Sequence, residues 1–187
     1  WTRTLLPTPF VAAYLALAGV ALLALVVVSR VEFPAATTLS KHAGQGRPLA
    51  QIMSNPVFIV ATLGASLGYG VMNLLMAATP LAMQVCGFEF GATDTVLQWH
   101  VIGMFAPGFF TGALIQRFGV LSVMGVGVLL NLLCVIIALT GVELQHFLAA
   151  LILLGVGWNF LFTGSTTLAL TAYRPEEKDR AQAAINF

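Results

Sequence analysis

Five stretches of this chain, Pro9 to Val28, Val57 to Met83, Val96 to Ile115, Val120 to Leu139 and Phe147 to Thr171, contain no Asp, Glu, Lys or Arg. At about 1.5 Å of helix per residue, each is long enough to cross a hydrocarbon layer roughly 30 Å thick. Inside lipid a lone segment must satisfy every backbone N–H and C=O within itself, and the α-helix does so. The expected fold class is therefore an all-α membrane protein, a polytopic transmembrane helical bundle. Composition agrees, because only 8% of the 187 residues are charged, against roughly 25% in an ordinary soluble domain.

The few charges mark the ends of the spans. Arg30, Lys41 and Arg47 follow the first run, Arg117 separates the third from the fourth, and Arg174, Lys178 and Arg180 follow the fifth. The other side holds Arg3 with Glu89, Asp94 and Glu143. Basic residues in short loops stay cytoplasmic, so the first side is expected inside and the first run enters from outside. A net charge of +1 offers no basic surface, and no nucleic-acid partner is expected.

Cys86 and Cys134 lie in or beside apolar runs and suggest neither a disulfide framework nor a metal site. The chain opens at Trp1 and closes at Phe187 inside an opening helix, which points to a fragment. That sixth helix is expected to start at Arg174-Pro175-Glu176-Glu177, with proline in its first turn and acids where the helix dipole favours them. Pro34, Gly44, Gly46 and Pro48 make the polar stretch from Ser29 to Asn55 a linker between bundles, in which Leu49, Ile52 and Met53 suit a short interfacial helix.

The turn between the third and fourth runs reads Gly112-Ala113-Leu114-Ile115-Gln116-Arg117-Phe118-Gly119. It resembles the cytoplasmic loop motif G-x-L-x-D-R-x-G of the major facilitator superfamily, matched here by Gly112, Leu114, Arg117 and Gly119. Gln116 replaces the motif's Asp, and Val120 and Leu121 replace its basic residues, so the full motif's charge relay is not carried over. Arg174 to Ala181 is similar to the P-E-x-x-R-type loop that precedes the fifth and eleventh helices in that family.

The resemblance implies a register. Residues 1–29 become the last helix of a first half-bundle, 30–55 the central cytoplasmic linker, and 56–187 a second half-bundle of four spanning helices and the start of a fifth. It implies a secondary active transporter, a permease or exporter in the bacterial inner membrane, moving a small organic solute by alternating access. Its partners would be the lipid bilayer, the solute and the missing first half, with no cofactor. Another polytopic helical membrane protein, or a membrane-embedded enzyme, is the alternative. The enzyme finds no H-E-x-x-H and no pair of intramembrane carboxylates in these runs.

In that family the seventh and tenth helices line the cavity, and here they are the polar ones. Ser66, Tyr69 and Asn73 recur at helical spacing on the presumed seventh, and Asn159 and Thr163 on the presumed tenth, beside Trp158. These six are the substrate-cavity candidates. The competing reading is helix packing through polar and small side chains. His100 is the candidate for a coupling proton, against the alternative of a neutral imidazole bonded to a neighbouring helix. Gly64-xxx-Gly68 and Gly108-xxx-Gly112 have close-packing spacing, and Pro107 beside Gly108 marks a kink.

Overall fold

The computed structural model describes residues 11–31 and 46–186. It contains α1 (Val11–Ser29), α2 (Leu49–Met53), α3 (Pro56–Val85), α4 (Phe90–Phe105), α5 (Gly108–Phe118), α6 (Val120–Thr140), α7 (Leu144–Ala169), a 3-10 turn (Pro175–Glu177) and α8 (Lys178–Asn186). Pro9, Lys41, His42 and Phe187 lie outside the described residues. Among the described residues four helices are long and apolar enough to span a membrane, and α4 with α5, bent by 42°, passes the same test as a pair, which as one span makes five. The chain is an all-α, multi-pass membrane protein. It divides between Ala43 and Gly44 into two units, of which the first contributes α1 and the second all other elements.

Within the second unit α7 is the axis. It packs against α6, α4 and α3, and twelve of its 26 residues are buried. Small residues allow this. A Cβ on Gly155 would stand 2.6 Å from the His100 carbonyl oxygen, and one on Gly127 would stand 2.8 Å from that of Gly157, so α4–α7 and α6–α7 meet backbone to backbone. Where lipid competes for apolar surface, this close van der Waals contact holds helices together. Gly64 and Gly68 likewise lie against Ser165 and Leu161 of α7. The Gly108-xxx-Gly112 seam is not formed. A Cβ on Gly112 would meet nothing within 4 Å among the described residues, whereas one on Gly108 would come within 3.7 Å of Asn159 Nδ2.

The third run breaks where Pro107 removes an N–H, and α5 restarts with bonds from the Phe110 and Thr111 amides to the Pro107 carbonyl at 2.9 and 2.8 Å. The turn into α6 then needs Gly119, whose φ of 85° and ψ of 151° suit glycine alone.

α2 forms as expected, but Ile52 does not face lipid. It is fully buried against Phe58, Ala172 and Ala181, which fastens α2 to the α7–α8 connection. An ion pair does the same. The Arg47 guanidinium donates to both carboxylate oxygens of Glu177, at 2.7 and 3.0 Å, and to the Ala172 carbonyl at 3.0 Å. The Arg47 and Arg174 amides complete the shell at 2.8 and 2.9 Å. Glu177, read from the sequence as a first-turn acid, is thus a buried anchor for a residue 130 positions away.

The Arg47 side-chain bonds, then the Arg174 amide, pull the Glu177 carboxyl down to about 2. A folded-state value below the unfolded one stabilises the fold above the unfolded pKa, and that contribution is lost as pH falls from about 4.5 toward 2. Glu177→Gln should therefore lower the melting temperature in detergent at pH 7. The gap from wild type should shrink as pH falls through that window. A gap independent of pH would mean that the tether is not ionic.

Candidate functional site

On α3 three faces separate. Phe58, Ala61, Ala65, Gly68, Met72, Thr79 and Met83 are buried, while Leu63, Leu67, Leu74 and Leu81 form an exposed apolar stripe. Between these faces runs a polar stripe of Thr62, Ser66, Tyr69 and Asn73. The last three are exposed and make no side-chain hydrogen bond among the described residues. Gly64 lies beside Met124 of α6. At 100° per residue the polar stripe is therefore on the flank of α3 that turns away from α6.

The same construction applies to α7. Gly157 and Gly164 face Gly127 and Met124 of α6, Leu161 and Ser165 face α3, and Ile152 and Gly155 face α4. Helical rotation puts Trp158 and Phe162 between the α3 and α4 contacts, on the flank that also turns away from α6. Their rings stack with centroids 5.0 Å apart and planes 12° from parallel. The Trp158 indole N–H is buried with no acceptor among the described residues, and neither the Thr62 hydroxyl nor the His100 Nε2 has a partner.

Depth follows from the contacts. Gly64 pairs with Ser165 and Gly68 with Leu161, so each step outward on α3 corresponds to a step back along α7. Trp158 then lies at a depth between Tyr69 and Asn73. The structure thus brings together Ser66, Tyr69, Asn73 and Trp158 along one side of the bundle. Phe162 joins them, a residue that sequence reading passed over as one apolar position among many.

Asn159 and Thr163 lie elsewhere. Asn159 is buried, donates through Nδ2 to the Met104 carbonyl at 2.8 Å and accepts the Thr111 hydroxyl at 2.7 Å. It does not share an aqueous space with the exposed Asn73. Thr163 is half-buried, and its carbonyl accepts the hydroxyls of Thr166 and Thr167, so those threonines are satisfied within their own helix.

His100 is fully buried, with Nδ1 2.8 Å from the Leu151 carbonyl. A carbonyl only accepts, so Nδ1 carries the proton and Nε2 is the free lone pair. In the loop motif, Arg117 sits in the last turn of α5 with its guanidinium 5.3 Å from the Phe118 ring centroid. Leu114 lines an apolar cavity of about 420 Å³ with Phe118, Val126 and Phe160.

Comparison with known proteins gives a family and three relatives. The family model described as Major Facilitator Superfamily matches residues 5–187. A riboflavin transporter, RfnT, from Brucella anthropi is 39% identical over the whole chain, which spans 48% of that protein. Two proteins of Bacillus subtilis named as uncharacterized MFS-type transporters, YdeG and YddS, are 31% and 28% identical over 62% of the chain and 27% of their own length. The chain therefore spans about half the length of the first of these relatives or less. No solved structure matches it.

Proposed function

The chain belongs to the Major Facilitator Superfamily, and on that premise we propose that it forms the second half of a secondary transporter moving a planar heteroaromatic solute of the riboflavin kind. The observation that carries this reading is the stacked Trp158–Phe162 pair beside the Ser66, Tyr69 and Asn73 stripe. Aromatic faces hold a flat ring by stacking, at about 1–3 kcal/mol for a nucleobase. Hydroxyl and amide groups then read its polar edge. Identity to a riboflavin transporter along the whole chain supports the solute class.

Alternating access follows from the two-half architecture of the family, with the site near the membrane midplane and the absent half supplying the facing wall. In the proposed orientation Arg117 is cytoplasmic, and Glu89 and Glu143 are outside, in a bacterial inner membrane. The His100 Nε2 lone pair is the proposed acceptor of a coupling proton. Because it is sealed between α4 and α7, proton entry requires those helices to part.

The test is counterflow of labelled riboflavin in proteoliposomes holding the full-length protein, with an impermeant thiol reagent applied to single cysteines at positions 89 and 117 to fix orientation. Uptake stimulated by unlabelled riboflavin inside the vesicles is expected. A channel gives no such stimulation and an enzyme returns altered solute, so either outcome removes the reading.

A further inference from the structure

The α4–α5 bend carries its own fastening. A straight helix would pair the Met104 carbonyl with the Gly108 amide, but no such bond is present among the described residues, and Asn159 Nδ2 occupies that carbonyl at 2.8 Å. On the far side of the break, the Thr111 hydroxyl is 2.7 Å from both Asn159 Oδ1 and the Pro107 carbonyl, and its single proton serves them in turn. One amide on α7 therefore grips both arms of a broken span. The amide also lies against the break itself, since a Cβ on Gly108 would come within 3.7 Å of Nδ2.

We propose that Asn159 is a positioning residue that holds the bent form of this span, and that releasing its two bonds is a step of the transport cycle. The two states exclude each other. If the span straightens, the Gly108 N–H reclaims the Met104 carbonyl, Thr111 moves off, and a buried amide loses both partners. An element with two discrete hydrogen-bonding arrangements suits alternation between states rather than continuous flexing.

The consequence is mechanical. α5 is eleven residues long and ends at the Arg117–Gly119 turn, so a full 42° straightening would carry its tip by roughly 12 Å. Asn159 directly follows Trp158, which places the fastening at the depth of the proposed solute wall. Movement of that wall and release of the bend are then adjacent events. The proposal rests on the family's transport activity and not on the identity of the solute.

The experiment uses the full-length protein with Asn159→Ala and, separately, Thr111→Val, which is close to isosteric. Spin labels at Gln116, at the end of α5, and Leu170, at the end of α7, report the bend without any solute. Both variants should shift the mean distance by at least about 4 Å or add a second population. With riboflavin as the transported probe, kcat should fall about tenfold or more while KM stays within about threefold, and Thr111→Ser, which keeps the hydroxyl, should retain the wild-type kcat and distance. Distance distributions that superpose on wild type in both variants overturn the proposal. So does a tenfold rise in KM with kcat unchanged, which would make Asn159 a solute ligand. If Asn159→Ala fails to fold, Thr111→Val decides alone. If riboflavin is not transported, the distances still decide.

Discussion

Gly155→Ala and Gly127→Ala should each strip the protein of most of its transport activity and lower its melting temperature in detergent, although each adds only one methyl group. The added carbon at position 155 would stand 2.6 Å from the His100 carbonyl oxygen and 2.9 Å from the Met104 amide nitrogen. At position 127 it would meet the Gly157 carbonyl oxygen at 2.8 Å and the Leu161 amide nitrogen at 2.9 Å. All four obstacles are backbone atoms of helices, so no rotamer change relieves them. The neighbouring helix must move as a body.

Overpacking of this kind costs about 1–3 kcal/mol, and more where backbone shifts. Against a total stability of roughly 5–15 kcal/mol that is a large fraction. Gly112→Ala and Gly125→Ala are the controls, because nothing among the described residues lies within 4 Å of a Cβ at either position. They should be neutral, or stabilising by up to about 1 kcal/mol through the better helix propensity of alanine. Variants at 155 and 127 that melt with the controls would show that these backbones are not in contact.

These seams also show where sequence reading stops. The spans were legible because a charge-free run of helical length has one stable solution in lipid, but not every end was, since α4 starts at Phe90, six residues before the charge-free run, and takes in Asp94. The break at Pro107 was legible because the missing N–H is a property of one residue. Gly64 and Gly68 were legible as a pair, since both lie on one helix. Gly103 with Gly155 and Gly127 with Gly157 were not, because half of each pair is on a different helix and nothing local identifies the partner. The same holds for Arg47 and Glu177, whose attraction depends on a fold that brings together positions 130 apart.

The candidate site was only partly legible, for a related reason. Period 3.6 selects the residues of one stripe, and Ser66, Tyr69 and Asn73 do share a face. It does not say what a stripe faces, so Asn73 and Asn159 carry the same signal in sequence. Their surroundings differ: one amide is exposed, and the other joins the two arms of a broken helix. Phe162 gave no signal because a phenylalanine in an apolar span is unremarkable until its ring is seen against Trp158.

Trp158→Ala should weaken binding of riboflavin to the full-length protein more than any other single change along the proposed wall. It removes a stacking surface worth about 1–3 kcal/mol together with an indole N–H that has no acceptor among the described residues. Losing both should cost from about tenfold to more than a hundredfold in affinity. Trp158→Phe separates the two contributions, because it keeps a ring and discards the donor, and should fall between wild type and alanine. Asn73→Ala should cost about 1–3 kcal/mol if its amide meets the polar edge of the ring, which is roughly fivefold to more than a hundredfold. Leu74→Ala and Leu129→Ala, on exposed apolar faces of α3 and α6, should leave affinity almost unchanged. A cysteine at position 73 should react with small hydrophilic thiol reagents and be protected by riboflavin, whereas Asn159→Ala should alter turnover without a comparable loss of affinity. Equal affinities in the Trp158 and Asn73 variants, together with an unprotected cysteine at 73, would move the solute site off this wall.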